Sequence, residues 1–169
     1  MFVKRIFVLE NMRTCIEILV FLCVIFVIVL LEINSEKKQE KQRQLADKHL
    51  LLYLLMNKWV EYKQEGKNIS HYLELQGYNT IAIYGMNYVG ETLLRELRGT
   101  GIKVAYAIDK DASYINADCE IYSPCEDVEK VDALIVTPIF YYEQIKREMS
   151  IKMSCPIISI EEIILNDGK

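Results

Sequence analysis

Hydrophobic residues follow three successive patterns along this chain. Residues 15–33, CIEILVFLCVIFVIVLLEI, are apolar whichever way a helix is turned, and only Glu17 and Glu32, near the ends, carry charge. Residues 34–65 contain no glycine or proline, open on the polar run SEKKQEKQRQ and then turn apolar, which predicts one long helix able to continue the stretch before it. From residue 80 onward, short apolar runs alternate with stretches of 3.6-residue period.

That alternation predicts strands and helices by turns. Thr80, Ile81, Ala82, Ile83 and Tyr84 form an unbroken run, the pattern of a parallel strand covered on both faces. Gly85 ends it. From Tyr88 the stripe Val89, Leu93, Leu94 and Leu97 marks an amphipathic helix, supported by Glu91 and Arg95 at i,i+4 and stopped by Gly99 and Gly101. Residues 102–108 are the second strand and residues 119–122 a short third. Ser123-Pro124-Cys125-Glu126 has the form of a capping box and predicts a short helix to Lys130. Residues 133–136 are the fourth strand, Tyr141, Ile145 and Met149 the inner stripe of the helix after it, and residues 156–160 the last strand. Ser159 and Glu162 open a terminal helical turn, and the tail beyond Asn166 is expected to fray. Strands joined by helices in this rhythm give an α/β fold, a five-stranded parallel Rossmann-like sheet of order 3-2-1-4-5. The division expected is a flank at 1–14, a transmembrane helix at 15–33, a helical linker or packing region at 34–77 and the Rossmann-like domain at 78–169. Within 34–77, residues 69–76 form a short helix with Ile69, Tyr72 and Leu73 inward and His71 solvated.

In sheets of this type ligands sit where the first and fourth strands part, at their carboxyl ends. The turn there is Gly85-Met86-Asn87-Tyr88-Val89-Gly90, a G-x-N-x-x-G string with the first and third glycines of the dinucleotide fingerprint. Asn87 replaces the glycine that lets a pyrophosphate approach the backbone, and asparagine tolerates left-handed geometry better than most residues. Asp109 ends the second strand, where an acid accepts hydrogen bonds from a ribose or caps the next turn; Lys110 follows it, and Thr137 ends the fourth strand. These residues are the candidate cofactor site, for NAD(P) or a nucleotide-sugar. No catalytic residue and no metal site is assigned. Tyr142 and Lys146 have the spacing of a short-chain dehydrogenase pair, but only 52 residues beyond Gly90 and without a substrate-binding extension.

The chain has 169 residues, 51% of them hydrophobic, a net charge of −4 and five cysteines. Nothing in that balance suggests nucleic acid. At about 1.5 Å per residue, residues 15–33 are long enough for a bilayer core of roughly 30 Å. The basic residues Lys37, Lys38, Lys41, Arg43 and Lys48 outnumber Lys4, Arg5 and Arg13, so a single-pass anchor in the cell membrane leaves the C-terminal domain cytoplasmic. The cysteines lack paired spacing, as expected of reduced thiols. In the long helix Leu45, Leu52 and Trp59 recur at seven, with Leu55 and Tyr62 offset by three; this stripe is either buried against the domain or a homodimer seam across residues 45–62.

IAIYGMNYVGETLLRELRGTGIKVAYAIDKDA followed by VDALIVTPI resembles the small Rossmann modules of bacterial polysaccharide-biosynthesis sugar dehydratases, and the C-terminal domain of sugar C-methyltransferases. The likeness covers roughly residues 78–164. It implies nucleotide or nucleotide-sugar binding and a polysaccharide-synthesis enzyme as partner, although those relatives have a glycine where Asn87 stands, and the dehydratases carry several spans and a catalytic dehydrogenase-type domain. The alternatives are a ligand-free interaction scaffold and an NAD-dependent oxidoreductase or epimerase subunit.

Overall fold

The computed structural model describes the backbone of residues 2–166 and the side chains of residues 19, 21–23 and 25–165. The chain divides into two compact units, Met1–Leu50 and Leu51–Lys169. Helix α1, Phe2–Gln64, runs through both, a single helix as its lack of glycine and proline allows. In the first unit every described apolar side chain from Ile25 to Ile33 is exposed, as are Leu19, Phe21 and Leu22. Among the described residues no helix is long and apolar enough to cross a membrane. The expected span also draws on Cys15, Ile16, Glu17, Ile18, Val20 and Val24, which lie outside the described side chains, so the described residues lend it no support. The expected fraying beyond Asn166 likewise lies outside them.

The second unit holds α2 (Ile69–Leu75), β1 (Thr80–Tyr84), α3 (Tyr88–Leu97), β2 (Lys103–Ile108), β3 (Ile121–Tyr122), β4 (Ala133–Val136), α4 (Tyr142–Met149), β5 (Ile157–Ser159) and α5 (Ile160–Asn166). The five strands are parallel and ordered β3-β2-β1-β4-β5, as the sequence pattern predicts. Crossover connections place β1 at the centre, which is why its residues 81–84 are buried on both faces. Ile81 and Ile83 face a core shared with Ile69 and Leu73 of α2, Val89, Leu93 and Leu97 of α3, and Ile160 and Ile163 of α5. Ala82 and Tyr84 face the other side, with Tyr106, Leu134, Val136, and Ile145 and Met149 of α4.

The end of α1 belongs to the first of these cores. Leu55, Trp59 and Tyr62 are buried in it, and Leu52 and Met56 pack against it. Four of the five residues of the expected seam are thus taken up by the chain's own domain, because α2 and α3 leave an apolar surface that needs a cover. Glu96 of α3 fixes that cover in place. Its carboxylate accepts hydrogen bonds from Trp59 Nε1 at 2.7 Å, Lys63 Nζ at 3.1 Å and the Ile69 backbone N–H at 3.2 Å. One acid therefore ties α1, α2 and α3 together.

Two local expectations need correcting. Ser123 to Glu126 forms one half of the capping box, with the Ser123 N–H donating to Glu126 Oε1 at 2.7 Å while the Glu126 N–H donates to the Ser123 carbonyl at 3.0 Å, and no helix follows it. A cap does not by itself sustain a helix, whose stability in a protein comes mostly from packing, and here Val128 and Val131 pack against the second core from a non-helical segment. In α4 the inward tyrosine is Tyr142, whose hydroxyl donates to the Ile157 carbonyl at 2.9 Å. Tyr141 is exposed, because the turn Ile139–Tyr141 precedes α4 and shifts its start by one residue.

Trp59→Ala should cost about 3–5 kcal/mol in urea unfolding of the domain, the range for emptying a buried aromatic site. Glu96→Ala should cost about 1.5–3 kcal/mol, and Glu96→Gln less, since the amide keeps one acceptor oxygen. An alkaline limit is also expected. Burial pushes the Tyr106 phenol up to about 12, and its hydroxyl donates to the Glu129 carbonyl at 2.6 Å. The unfolded phenol titrates near 10, so the neutral, bonded form contributes fully below that pH and its contribution is lost as pH rises towards 12. Tyr106→Phe should flatten the fall of Tm in that window.

Candidate functional site

The turn between β1 and α3 is built by close backbone approaches. Gly85 has φ +92°, and its N–H donates to the Ile108 carbonyl at 2.8 Å, extending the pairing of β1 with β2 by one bond. A Cβ on Gly85 would lie 2.6 Å from the Pro138 ring, and a Cβ on Gly90 only 2.0 Å from the Gly85 carbonyl oxygen. Both fingerprint glycines are therefore sterically required: the first lets the chain turn against the end of β4, the third lets α3 lie on the turn.

Polar groups from both neighbouring strands hold the turn. On the β2 side, the Asp109 carboxylate accepts from the Met86 N–H at 2.7 Å through Oδ2 and from the Asp111 N–H at 3.0 Å through Oδ1. The acid thus caps the turn after its own strand and also grips the turn after β1. On the β4 side, the buried Thr137 hydroxyl lies 2.7 Å from the Gly85 carbonyl oxygen and 3.1 Å from that of Tyr84. Thr137 faces backbone and acts as a brace.

The remaining candidates divide between core and surface. Met86 and Val89 are buried in the α3 core, Tyr88 is 82% exposed and Lys110 is exposed. Asn87 does not use left-handed geometry. It has φ −85° and ψ −168°, is the N-cap of α3, and its Oδ1 accepts from the Val89 N–H at 3.0 Å. Its tolerance of positive φ is therefore irrelevant here, and no described non-glycine residue has positive φ. What asparagine supplies at this position is a side-chain acceptor for the first turn of the helix.

Other chemistry is sparse. The Tyr142 hydroxyl is spent on a strand carbonyl, and Lys146 stands over the Tyr142 ring at 5.2 Å with its ammonium pKa held up by that tyrosine, the opposite of a lysine poised to lose a proton. Burial pushes the Cys119 and Cys155 thiols up, away from thiolate reactivity. Among the described residues no group of three or more His, Cys, Asp or Glu could hold a metal ion. A cavity of about 190 Å³ lined by Val128, Val131, Met149, Met153 and Cys155 lies before β4 and β5, at the amino ends of the strands and so opposite the turn.

Fold and turn together define a Rossmann-like α/β module. Comparison with protein-family models, curated proteins and solved structures found no match. Sequence reasoning did not find the bracing roles of Thr137 and Glu96, nor that of Asp132, whose Oδ2 accepts from the Asn79 and Thr80 N–H groups at 2.9 and 2.7 Å. Its only advance signal was an acid just ahead of the fourth strand.

Gly90→Ala should destabilise the domain by about 3 kcal/mol or more, since the added methyl meets a backbone oxygen with no room to move. Asn87→Gly should cost only a few tenths of a kcal/mol, the usual price of a glycine N-cap. Chemical denaturation of the two variants beside the parent measures both.

Proposed function

We propose that this protein is a membrane-anchored Rossmann-like module that binds a nucleotide or nucleotide-sugar at the carboxyl ends of β1, β2 and β4, and works beside enzymes of surface-polysaccharide or nucleotide-sugar synthesis. The observation that carries the binding reading is the Asp109 carboxylate at 2.7 Å from the Met86 N–H. That bond brings the acid of β2, the glycine turn and the start of α3 to one point, where a ribose and its phosphate have to be met together. The anchor is supported by the 19-residue run at 15–33, whose only charges stand near its ends. The basic residues after it support a cytoplasmic domain.

A scaffold without ligand is the second reading. One observation favours it: Asp109, Asn87 and Thr137 already spend side-chain acceptors or donors within the chain.

Titration calorimetry of NAD, NADP and nucleotide-sugars against the purified full chain separates the two. The binding reading expects a millimolar or tighter ligand, tightened by Asn87→Gly. It also expects Asp109→Asn, which keeps an acceptor for Met86 N–H but loses the charge, to weaken binding by roughly 10- to 150-fold for the loss of about 1.5–3 kcal/mol. Silence of parent and Asn87→Gly towards all these ligands favours the scaffold. The anchor is tested apart from the ligand: the chain should stay with membranes through an alkaline carbonate wash. The exposed Cys125 thiol should escape a membrane-impermeant reagent in intact cells.

A further inference from the structure

The cavity of about 190 Å³ at the amino ends of β4 and β5 stands apart from the proposed nucleotide site, and three sulfur-bearing side chains line it, Met149, Met153 and Cys155. The two methionines are one helical turn apart. Beyond α4 the chain keeps helical bonding, with the Ser150 N–H donating to the Lys146 carbonyl at 2.9 Å and the Met153 N–H to the Met149 carbonyl at 2.8 Å, and residues spaced by four on such a turn share a face. Cys155 is placed by the sheet. The carbonyl of Pro156 accepts from the Leu134 N–H at 2.9 Å, which fixes the backbone beside Cys155 against the start of β4. Met149 is buried in the second core, and Met153 and Cys155 are half-buried against it. Packing there asks only for volume, which leucine or valine would supply as well.

From this grouping we infer that Met149, Met153 and Cys155 form a binding site for a soft monovalent cation, copper(I). Thiolate and thioether sulfur select that ion over harder divalent ones. Charge selects in the same direction. One thiolate and two neutral thioethers carry a single negative charge, which a monovalent ion cancels, whereas a divalent ion would leave an unpaired positive charge among partly buried groups. Binding replaces the Sγ–H bond of Cys155 with an Sγ–Cu bond and releases the proton to solvent, and copper is neither oxidised nor reduced. Among the charged residues of the lining, Glu126, Asp127 and Glu129 outnumber Lys130 and Lys152, and the Lys152 ammonium is taken up by the Pro124 carbonyl at 2.5 Å. The surroundings therefore favour entry of a cation. The cavity is several times the roughly 30 Å³ share of one water, and the three rotatable bonds of methionine let each thioether turn towards an ion.

Copper(I) itself is the probe, kept reduced by ascorbate without air and measured on the purified full chain in competition with bicinchoninate. Met149→Leu and Met153→Leu conserve volume and leave all five cysteines in place, so they report on this cluster and on no other thiol. Each should weaken copper(I) binding by at least the roughly 10-fold that loss of a supporting group costs at a metal site. Cys155→Ser should abolish the site, and Cys125→Ser should leave it unchanged. Copper(I) should also raise the Tm of the parent but not that of Cys155→Ser. Circular dichroism checks that each variant folds; if Met149→Leu does not, Met153→Leu, at a half-buried position, decides. No copper(I) binding by the parent overturns the inference. Parent affinity in the folded methionine variants, or in Cys155→Ser, overturns it as well and assigns the copper to thiols elsewhere in the chain.

Discussion

The approach of Gly90 to the Gly85 carbonyl is the contact on which the α/β unit depends. An added methyl would sit 2.0 Å from that oxygen, so only glycine lets α3 start close enough to β1 for Val89, Leu93 and Leu97 to reach the sheet. β1 is the central strand, and the position of α3 upon it sets the space that α2, α5 and the end of α1 must fill. The turn is held from both sides, by Asp109 at the end of β2 and by Thr137 at the end of β4. Its shape is therefore a property of three adjacent strands. The turn is thus formed by the chain itself, and its polar groups are partly committed.

The two faces of the sheet are closed by different means. On one side helices supply the cover, and Glu96 joins three of them where their ends converge. Its side chain is only 11% exposed, and a carboxylate so placed is tolerated because three donors converge on it. On the other side a single helix, α4, is supplemented by the non-helical segment carrying Val128 and Val131. There Tyr106 and Tyr122 meet edge to face with ring centroids 5.5 Å apart, and the Tyr106 hydroxyl is bonded to a carbonyl of the covering segment. The cavity before β4 and β5, lined by Val128, Val131 and Met149, lies on this side.

The architecture was legible wherever burial imposes a period. Unbroken apolar runs at 80–84 and 133–136 mark strands covered on both faces, the stripe from Val89 to Leu97 marks a covered helix, and short parallel crossovers leave few strand orders open. The failures are local and share a cause. The capping box at Ser123 states how a helix would begin, but whether it continues depends on what Val128 and Val131 can pack against. Tyr141 and Tyr142 are chemically alike, and which of them faces inward follows from a turn one residue before the helix.

At the site, amino-acid sequence alone determined that Gly85 and Gly90 bracket a tight turn and that Asp109 stands at the end of the next strand, because spacing and residue type carry that information along the chain. Tertiary structure alone decided what the side chains do. Thr137 braces the turn, Asn87 caps α3 from an extended conformation, Glu96 gathers three helices, and Trp59 belongs to the core of its own domain. Each of these depends on which donors and apolar surfaces folding brings together from distant parts of the chain. A hydrogen bond between residues as far apart as Trp59 and Glu96 leaves no periodic trace in the sequence.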